Sequence, residues 1–251
     1  MNTCLAIIRI AIYVGIFGLF IAIGACGHIL FFLSPSRLLQ WIAYFSQWWA
    51  RITCWVFNIH IQVEGDGPPL TGAMVVANHV GSPDIFILGA CFKGFFVSKV
   101  EIADWPLFNW LVRLGKTIFA DRNKRHQVKS LIHAIAKRLH GGHNVILFPE
   151  AQATDGSDVV PFKSAIFEAA VLANRPVVPV SIHYHDGNQP TLAFYGDSFL
   201  SHIMTLLKTP RLQATVTIFP EIPASLGRQA LADKSCRVVR DAVKAQNSQL
   251  A

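Results

Sequence analysis

Ten histidines are scattered through this chain, and one of them stands in a stretch that also supplies it with a partner. VVANHVGSPDIFIL, residues 75–88, runs from an apolar segment into Asn78-His79, turns at Gly81-Ser82-Pro83 and opens a second apolar segment at Asp84. Pro83 suits the first position of a helix, Ser82 its N-cap and Asp84 its first turn, where the helix dipole favours a carboxylate. On that account Asp84 only starts a helix. The same geometry leaves His79 at a strand end just before the helix, so the turn can fold the imidazole back onto the carboxylate. A histidine oriented by a carboxylate, with its other nitrogen open, is equipped to take a proton from an attacking hydroxyl, a contribution of roughly 10²- to 10⁴-fold in rate.

Two more stretches carry charges at expected strand ends. In KVEIADWPLFNWLVRLGKTIFADR, residues 99–122, Lys99 closes one strand and Arg122 another. Both cations can project from sheet ends toward one cleft, where open α/β sheets bind ligands. Arginine suits bidentate phosphate or carboxylate recognition and lysine acts as a point charge. Taken alone, Arg122 also fits a solvated basic loop, since Asn123-Lys124-Arg125-His126 follows it. In VILFPEAQATDGSDVVPFKSAIFEAA, residues 145–170, a strand delivers Glu150 to its end, where it can hydrogen-bond a substrate hydroxyl or hold a basic group. A lone glutamate after a strand is more often surface. Glu221, in a second FPE-like stretch, is explained by a turn before Ile222-Pro223. Cys91 and Ser82 are nominal nucleophiles only, because neither lies in a GxSxG elbow.

The elements that must position these residues follow from pattern and composition. Hydrophobic residues make up 52% of 251 residues and charged ones 15%, with mean hydropathy +0.40, more apolar surface than one core needs. From Ile10 to Leu33 no residue carries a formal charge, and about 36 Å of helix spans a hydrocarbon core of roughly 30 Å. Only Arg9 offers a basic flank, and the apolar run exceeds a signal h-region, which disfavours a signal peptide. RLLQWIAYFSQWWARITCWVFNIHI, residues 37–61, mixes arginine and glutamine with tryptophan and tyrosine and reads as an interfacial helix. The two form either a span with a surface helix or a hairpin in one leaflet; nearly all Lys and Arg follow the apolar run, so if it spans, the positive-inside bias puts the large C-terminal part on the cytoplasmic side.

After EGDGPPLTG (64–72) the pattern becomes α/β. Strands are expected at 73–78, 94–99, 117–121, 144–149, 177–184, 191–195 and 214–219, and helices at 83–91, 105–114, 127–140 and 163–174. The expected architecture is a mixed, roughly seven-stranded sheet flanked by helices, preceded by a two-helix membrane-binding element, with domains at 1–61 and 62–251. Five scattered cysteines in no CxxC or Cys/His cluster indicate neither a disulfide framework nor a zinc site.

NHVGSPD, then Lys99, Glu101, Pro106, Gly115, Phe119 and Arg122 in a K-x-E-x-x-x-x-P...G...F-x-x-R pattern, then FPE with PFKS, then VVPVSIH occur in that order. Over roughly residues 60–222 this resembles the PlsC-type glycerolipid acyltransferases, the lysophosphatidate acyltransferase family. The resemblance implies that His79 is the general base acting on an acceptor hydroxyl and Asp84 its orienter, as in triad logic without a serine nucleophile. It implies that Lys99 and Arg122 hold the acceptor headgroup and that Glu150 is the acidic residue of an FPEGTR-like block. It implies no metal and no cofactor, a membrane lysolipid as acceptor, an acyl-CoA or acidic acyl carrier protein as donor, and a bacterial inner-membrane location facing the cytoplasm. The block departs from the family where Ala151-Gln152 replaces Gly-Thr and Ala153 stands where many members have arginine. One phosphate-binding cation is therefore absent from its usual place, which leaves room for other lysolipids. The TDG of 154–156 and KVEIADWP resemble the lyso-ornithine lipid acyltransferase branch.

The net charge of +7 suits anionic substrates or headgroups. Dispersed basic residues and aromatics gathered in the membrane segment argue against nucleic-acid binding. Beside the acyltransferase stand a thioesterase using His79 and Asp84 on water and a catalytically silent lipid-binding protein, distinguished by free-acid release or by binding without turnover.

Overall fold

The computed structural model describes residues 2–67, 72–100, 108–120, 128–185 and 199–248. Helices α1 (Asn2–Leu30) and α2 (Pro35–Val56) come first. They form an antiparallel pair: Trp41 packs on Phe31, Trp49 on Tyr13, and the Arg9 guanidinium reaches Val56. Gly27 permits the close crossing, since a Cβ there would lie 2.3 Å from Trp41 Nε1.

The described strands are β1 (Ile59–Gly65), β2 (Met74–Ala77), β3 (Gly94–Lys99), β4 (Ile118–Ala120), β5 (Asn144–Leu147), β6 (Val177–Tyr184) and β7 (Leu212–Ile218). They form one seven-stranded sheet in the order β1-β7-β6-β2-β5-β3-β4. Every neighbouring pair is parallel except β6 with β7. The C-terminal ends of β2, β3, β4, β5 and β6 therefore share one edge. The remaining described helices are α3 (Pro83–Cys91), α4 (Phe108–Leu114), α5 (Val128–His140), α6 (Glu168–Ala173), α7 (Phe199–Lys208) and α8 (Gly227–Ser248).

Side chains alternate across the strands, and both faces are covered. Val75, Ala77, Val178, Val180 and Ile182 pack with α2 and α3, including Ala50, Ile87 and Leu88. Met74, Val76, Val145, Leu147 and Val177 pack with α5, α6 and α8, including Ile135, Ala170 and Val239. Coverage on both faces is why β2, β5 and β6 read as continuous apolar runs. Each fully buried Ile or Leu in these layers contributes about 1.5–3 kcal/mol. Gly89 lets α3 approach α2, since a Cβ there would lie 2.9 Å from Ala50 Cβ.

Most expected elements lie where pattern puts them, with α3, β3 and β6 matching to the residue. In α5, Ile132, Ile135 and Leu139 are buried as the apolar stripe requires, and Gly142 at φ +78° follows the helix end. One expectation is corrected: the interfacial helix does not reach residue 61. It ends at Val56, Asn58 takes φ +55°, and Ile59 starts β1, which pairs with β7. IHIQVE alternates apolar and polar residues, a strand period that outweighs its continuity with the helix before it. The sheet thus begins three residues before the expected division at 61/62. The strand expected at 191–195 lies outside the described residues; the seven described strands include β1, which was not expected.

Ser82 occupies the N-cap position of α3 but is itself helical and makes no side-chain capping bond. Pro83 does open the helix. Asp84 lies in the first turn of the helix, and its carboxylate also accepts from the Val80 and Gly81 amides of the preceding loop.

Candidate active site

His79 leaves the C-terminal end of β2, and the chain must turn sharply to enter α3. Asn78 makes the exit possible: its Nδ2 donates to the Ile182 carbonyl at 3.0 Å and its Oδ1 accepts from the Ile182 amide at 2.8 Å. The side chain replaces a peptide in the ladder with β6, so β2 can end without orphaning its neighbour.

The turn folds His79 onto Asp84. Asp84 is fully buried, and its Oδ2 lies 2.7 Å from His79 Nδ1 while accepting from the Val80 and Gly81 amides at 2.7 and 3.0 Å. Its Oδ1 accepts from the Tyr184 hydroxyl. Burial, and then the adjacent Asp84 charge, push the Tyr184 phenol well above its ordinary value, so it remains a donor. A carboxylate holding these donors assigns the proton on His79 to Nδ1 and leaves the lone pair on Nε2. Among the described residues Nε2 has no hydrogen-bond partner, and the His79 side chain is 22% exposed. The ring stacks on Phe148, centroids 4.1 Å apart and planes 15° from parallel, which fixes the direction of Nε2.

The His79 backbone is held as well. Its N–H donates to Glu150 Oε1 at 2.7 Å, and its carbonyl accepts from the Thr154 amide at 2.8 Å and the Thr154 hydroxyl at 3.3 Å. Glu150 Oε2 accepts from the Val160 amide at 2.7 Å. Glu150 is therefore buried, 2% exposed, with both oxygens committed to main-chain amides of the two loops forming the site. Desolvation pushes its carboxyl up to about 7 and the nearby Asp84 adds to this, while the two amides and Arg240 pull the other way.

The expected site residues fall as follows. His79, Asp84 and Glu150 form one connected network at the C-terminal edge of the sheet. Lys99 ends β3 at the same edge, exposed, two strands from β2. Arg122 lies outside the described residues, as do Glu101 and Pro106; β4 ends at Ala120, pointing to that edge. Asn78, Tyr184, Thr154 and Phe148 also serve the site and went unpredicted. Asn78 directly before the histidine at a strand end was a usable signal; Tyr184, 100 residues from Asp84, offered none.

The arrangement can accept a proton at Nε2, hold the resulting imidazolium against a buried carboxylate, and keep the imidazole in one tautomer. A family model described as Acyltransferase matches residues 60–183. The lyso-ornithine lipid O-acyltransferase of Rhodobacter capsulatus is 36% identical over 179 residues, covering 67% of this chain and 63% of that protein. The protein of the same name from Pseudomonas aeruginosa is 32% identical over 201 residues, covering 78% and 76%. The 1-acyl-sn-glycerol-3-phosphate acyltransferase of Neisseria gonorrhoeae is 31% identical over 185 residues, covering 72% of each. Among solved structures, the 1-acyl-sn-glycerophosphate acyltransferase PlsC from Thermotoga maritima aligns over 98% of both chains with a TM-score of 0.73 at 21% identity, a shared fold.

Proposed function

Since this chain belongs to the acyltransferase family, we propose that it moves a fatty acyl group from an acyl thioester to the free hydroxyl of a lysolipid, with His79 as general base. The observation that carries this is the His79–Asp84 contact with Nε2 left open. Nε2 takes the proton of the acceptor hydroxyl as its oxygen attacks the thioester carbonyl. Asp84 stabilises the imidazolium, the C–S bond breaks as the ester C–O bond is completed, and the proton passes to the departing thiolate. The reading assigns no step to a metal or cofactor.

Glu150 acts by positioning, because its oxygens already hold backbone amides. Lys99 and Arg122 supply positive charge for the anionic acceptor headgroup, and acyl-CoA or an acyl carrier protein is the donor. The enzyme works at a membrane surface, in this reading the cytoplasmic face of a bacterial inner membrane. α1 over Thr3–Leu30 is long and apolar enough to cross a bilayer, with mean hydropathy 2.4, and α2 exposes Tyr44, Trp48 and Trp55.

A second reading concerns the acceptor. Ala153 carries no charge where many family members have arginine, and two of the relatives described above act, by name, on lyso-ornithine lipid. A lyso-ornithine lipid O-acyltransferase is therefore the alternative to a lysophosphatidate enzyme.

One assay addresses both. Membranes containing the protein are given lysophosphatidate, other lysophospholipids and lyso-ornithine lipid, each with acyl-CoA and with acyl carrier protein. Transfer to at least one acceptor is expected, and His79→Ala should lower kcat by roughly 10²- to 10⁴-fold. Full activity in that variant would remove His79 from the mechanism, and free fatty acid released without acceptor would point to a thioesterase.

A further inference from the structure

Helix α8 lies beyond the residues matched by the family model, yet one of its faces reaches the catalytic loops. Cys236, Arg240, Lys244 and Asn247 follow one another at spacings of four, four and three, which puts them in one row. All four meet the segment 156–160. Arg240 donates through Nε and Nη2 to the Val159 carbonyl at 3.1 and 2.7 Å. Asn247 Nδ2 donates to the Gly156 and Ser157 carbonyls, both at 3.2 Å. The Cys236 thiol lies 3.8 Å from the Val160 carbonyl, and Lys244 is 3.6 Å from Asp158.

The peptide that Arg240 grips is the one that holds Glu150. The Val159 carbonyl and the Val160 amide belong to a single peptide unit; its oxygen faces the guanidinium and its N–H donates to Glu150 Oε2 at 2.7 Å. Glu150 Oε1 then takes the His79 amide at 2.7 Å. A cation at the oxygen end polarises a peptide and strengthens its N–H as a donor, and a chain of such bonds is mutually reinforcing. We propose that Arg240 is a positioning residue for His79, acting through the Val159–Val160 peptide and Glu150, so that the C-terminal helix belongs to the catalytic apparatus. This rests on the reading of His79 as general base.

Among the described residues the charged groups around the relay are few. Glu150 is faced by Asp84 from α3 and Arg240 from α8, besides the two amides. Arg240 is faced by Asp158, 3.4 Å away, but that carboxylate is 54% exposed and such pairs contribute little. The main-chain contact is the one that matters. Without Arg240 the Glu150 carboxylate loses its one nearby cation among the described residues and takes up a proton at higher pH, weakening its hold on the His79 amide.

The test compares Arg240→Met, Arg240→Lys, Asp158→Asn, Glu150→Gln and the Arg240→Met/Glu150→Gln double variant. Arg240→Met should lower kcat about tenfold with both KM values unchanged and move the acid limb of the kcat–pH profile upward; Arg240→Lys should restore part of each effect. In the Glu150→Gln background Arg240→Met should change neither further, and Asp158→Asn should be near wild type. An unmoved acid limb, the same shift in the Glu150→Gln background, or a matching loss in Asp158→Asn would overturn the proposal. Hydrogen exchange at the His79 amide needs no turnover: faster exchange in Arg240→Met at neutral pH, with the difference closing as pH rises, is expected, and unchanged protection overturns the relay. If wild-type protein transfers no acyl group, the functional reading fails while this exchange measurement still judges the relay.

Discussion

Asp84 gathers four donors onto two oxygens: an imidazole, two amides of its own turn and a phenol from another strand. The first three lie within five residues, so a sequence with His79 and Asp84 at that spacing already contains them. Tyr184 arrives through parity along β6, on the same face as Val180 and Ile182, and no local pattern announces it. Glu150 shows the limit from the other side: its place after a strand was legible, but burial by loops ten and seventy-one residues away turned an apparent surface group into a backbone anchor. Its carboxyl, raised from 4.5 to about 7, links stability to pH. Between those values the native state holds a proton that the unfolded chain has released, so this contribution is fully present below about 4.5 and lost as pH rises through 7, by at most on the order of 3 kcal/mol. Glu150→Gln cannot ionise. Thermal unfolding of variant and wild type from pH 5 to 8 should therefore show the variant gaining relative to wild type as pH rises, whereas a constant difference would contradict the raised value. Ala151 offers a second test. It sits at φ +62°, left-handed backbone that disfavours a Cβ, where the resembling block has glycine. Ala151→Gly should raise stability by about 1 kcal/mol in denaturant titration.

At the scale of elements, α1 reads as a membrane segment by composition, and the structure adds how it is fastened. Arg9 is 3% exposed and donates to five carbonyls, those of Val56 and Phe57 at the end of α2 and of Leu207, Thr209 and Pro210 at the end of α7. A residue that looked like a sparse basic flank is the rivet joining three segments. Arg9→Met leaves those carbonyls without their donor and should lower unfolding stability by about 3 kcal/mol or more, read by thermal melts in detergent. A change below about 0.5 kcal/mol, the range of neutral surface substitutions, would mean the cage is incidental. The other elements divide by the strength of their periodicity. α5 was legible because its stripe is regular and two glycines follow it; α7 and α8 were not read, although Leu231, Val239 and Val243 of α8 are buried.

For the whole molecule, the sheet order sets the site. Parallel β2, β5, β3 and β6 bring His79, Glu150, Lys99 and Tyr184 to one edge, although they span about a hundred residues of sequence. Antiparallel β7 carries β1 with it, attaching the α1–α2 pair to the sheet. In the membrane reading proposed above, the exposed Tyr44, Trp48 and Trp55 on α2 are the side chains that meet the bilayer interface. Replacing all three with serine should weaken binding to anionic phospholipid vesicles at least tenfold in flotation or sedimentation while leaving thermal stability within about 1 kcal/mol. Unchanged binding would move the membrane contact elsewhere.

By itself, the sequence determined what depends on neighbours in the chain: the strands and helices with strong periods, the apolar N-terminal helix, and the His79–Asp84 pair, whose spacing matches one turn into a helix. Tertiary structure alone decided what depends on strand order and burial. It moved residues 59–65 into the sheet, gave Asp84 its phenol, enclosed Glu150 and brought α8 to the loop that holds Glu150. Periodicity reports which side of an element is apolar, but a hydrogen bond across a hundred residues is set by register and by water excluded between layers, and neither is written locally in the chain.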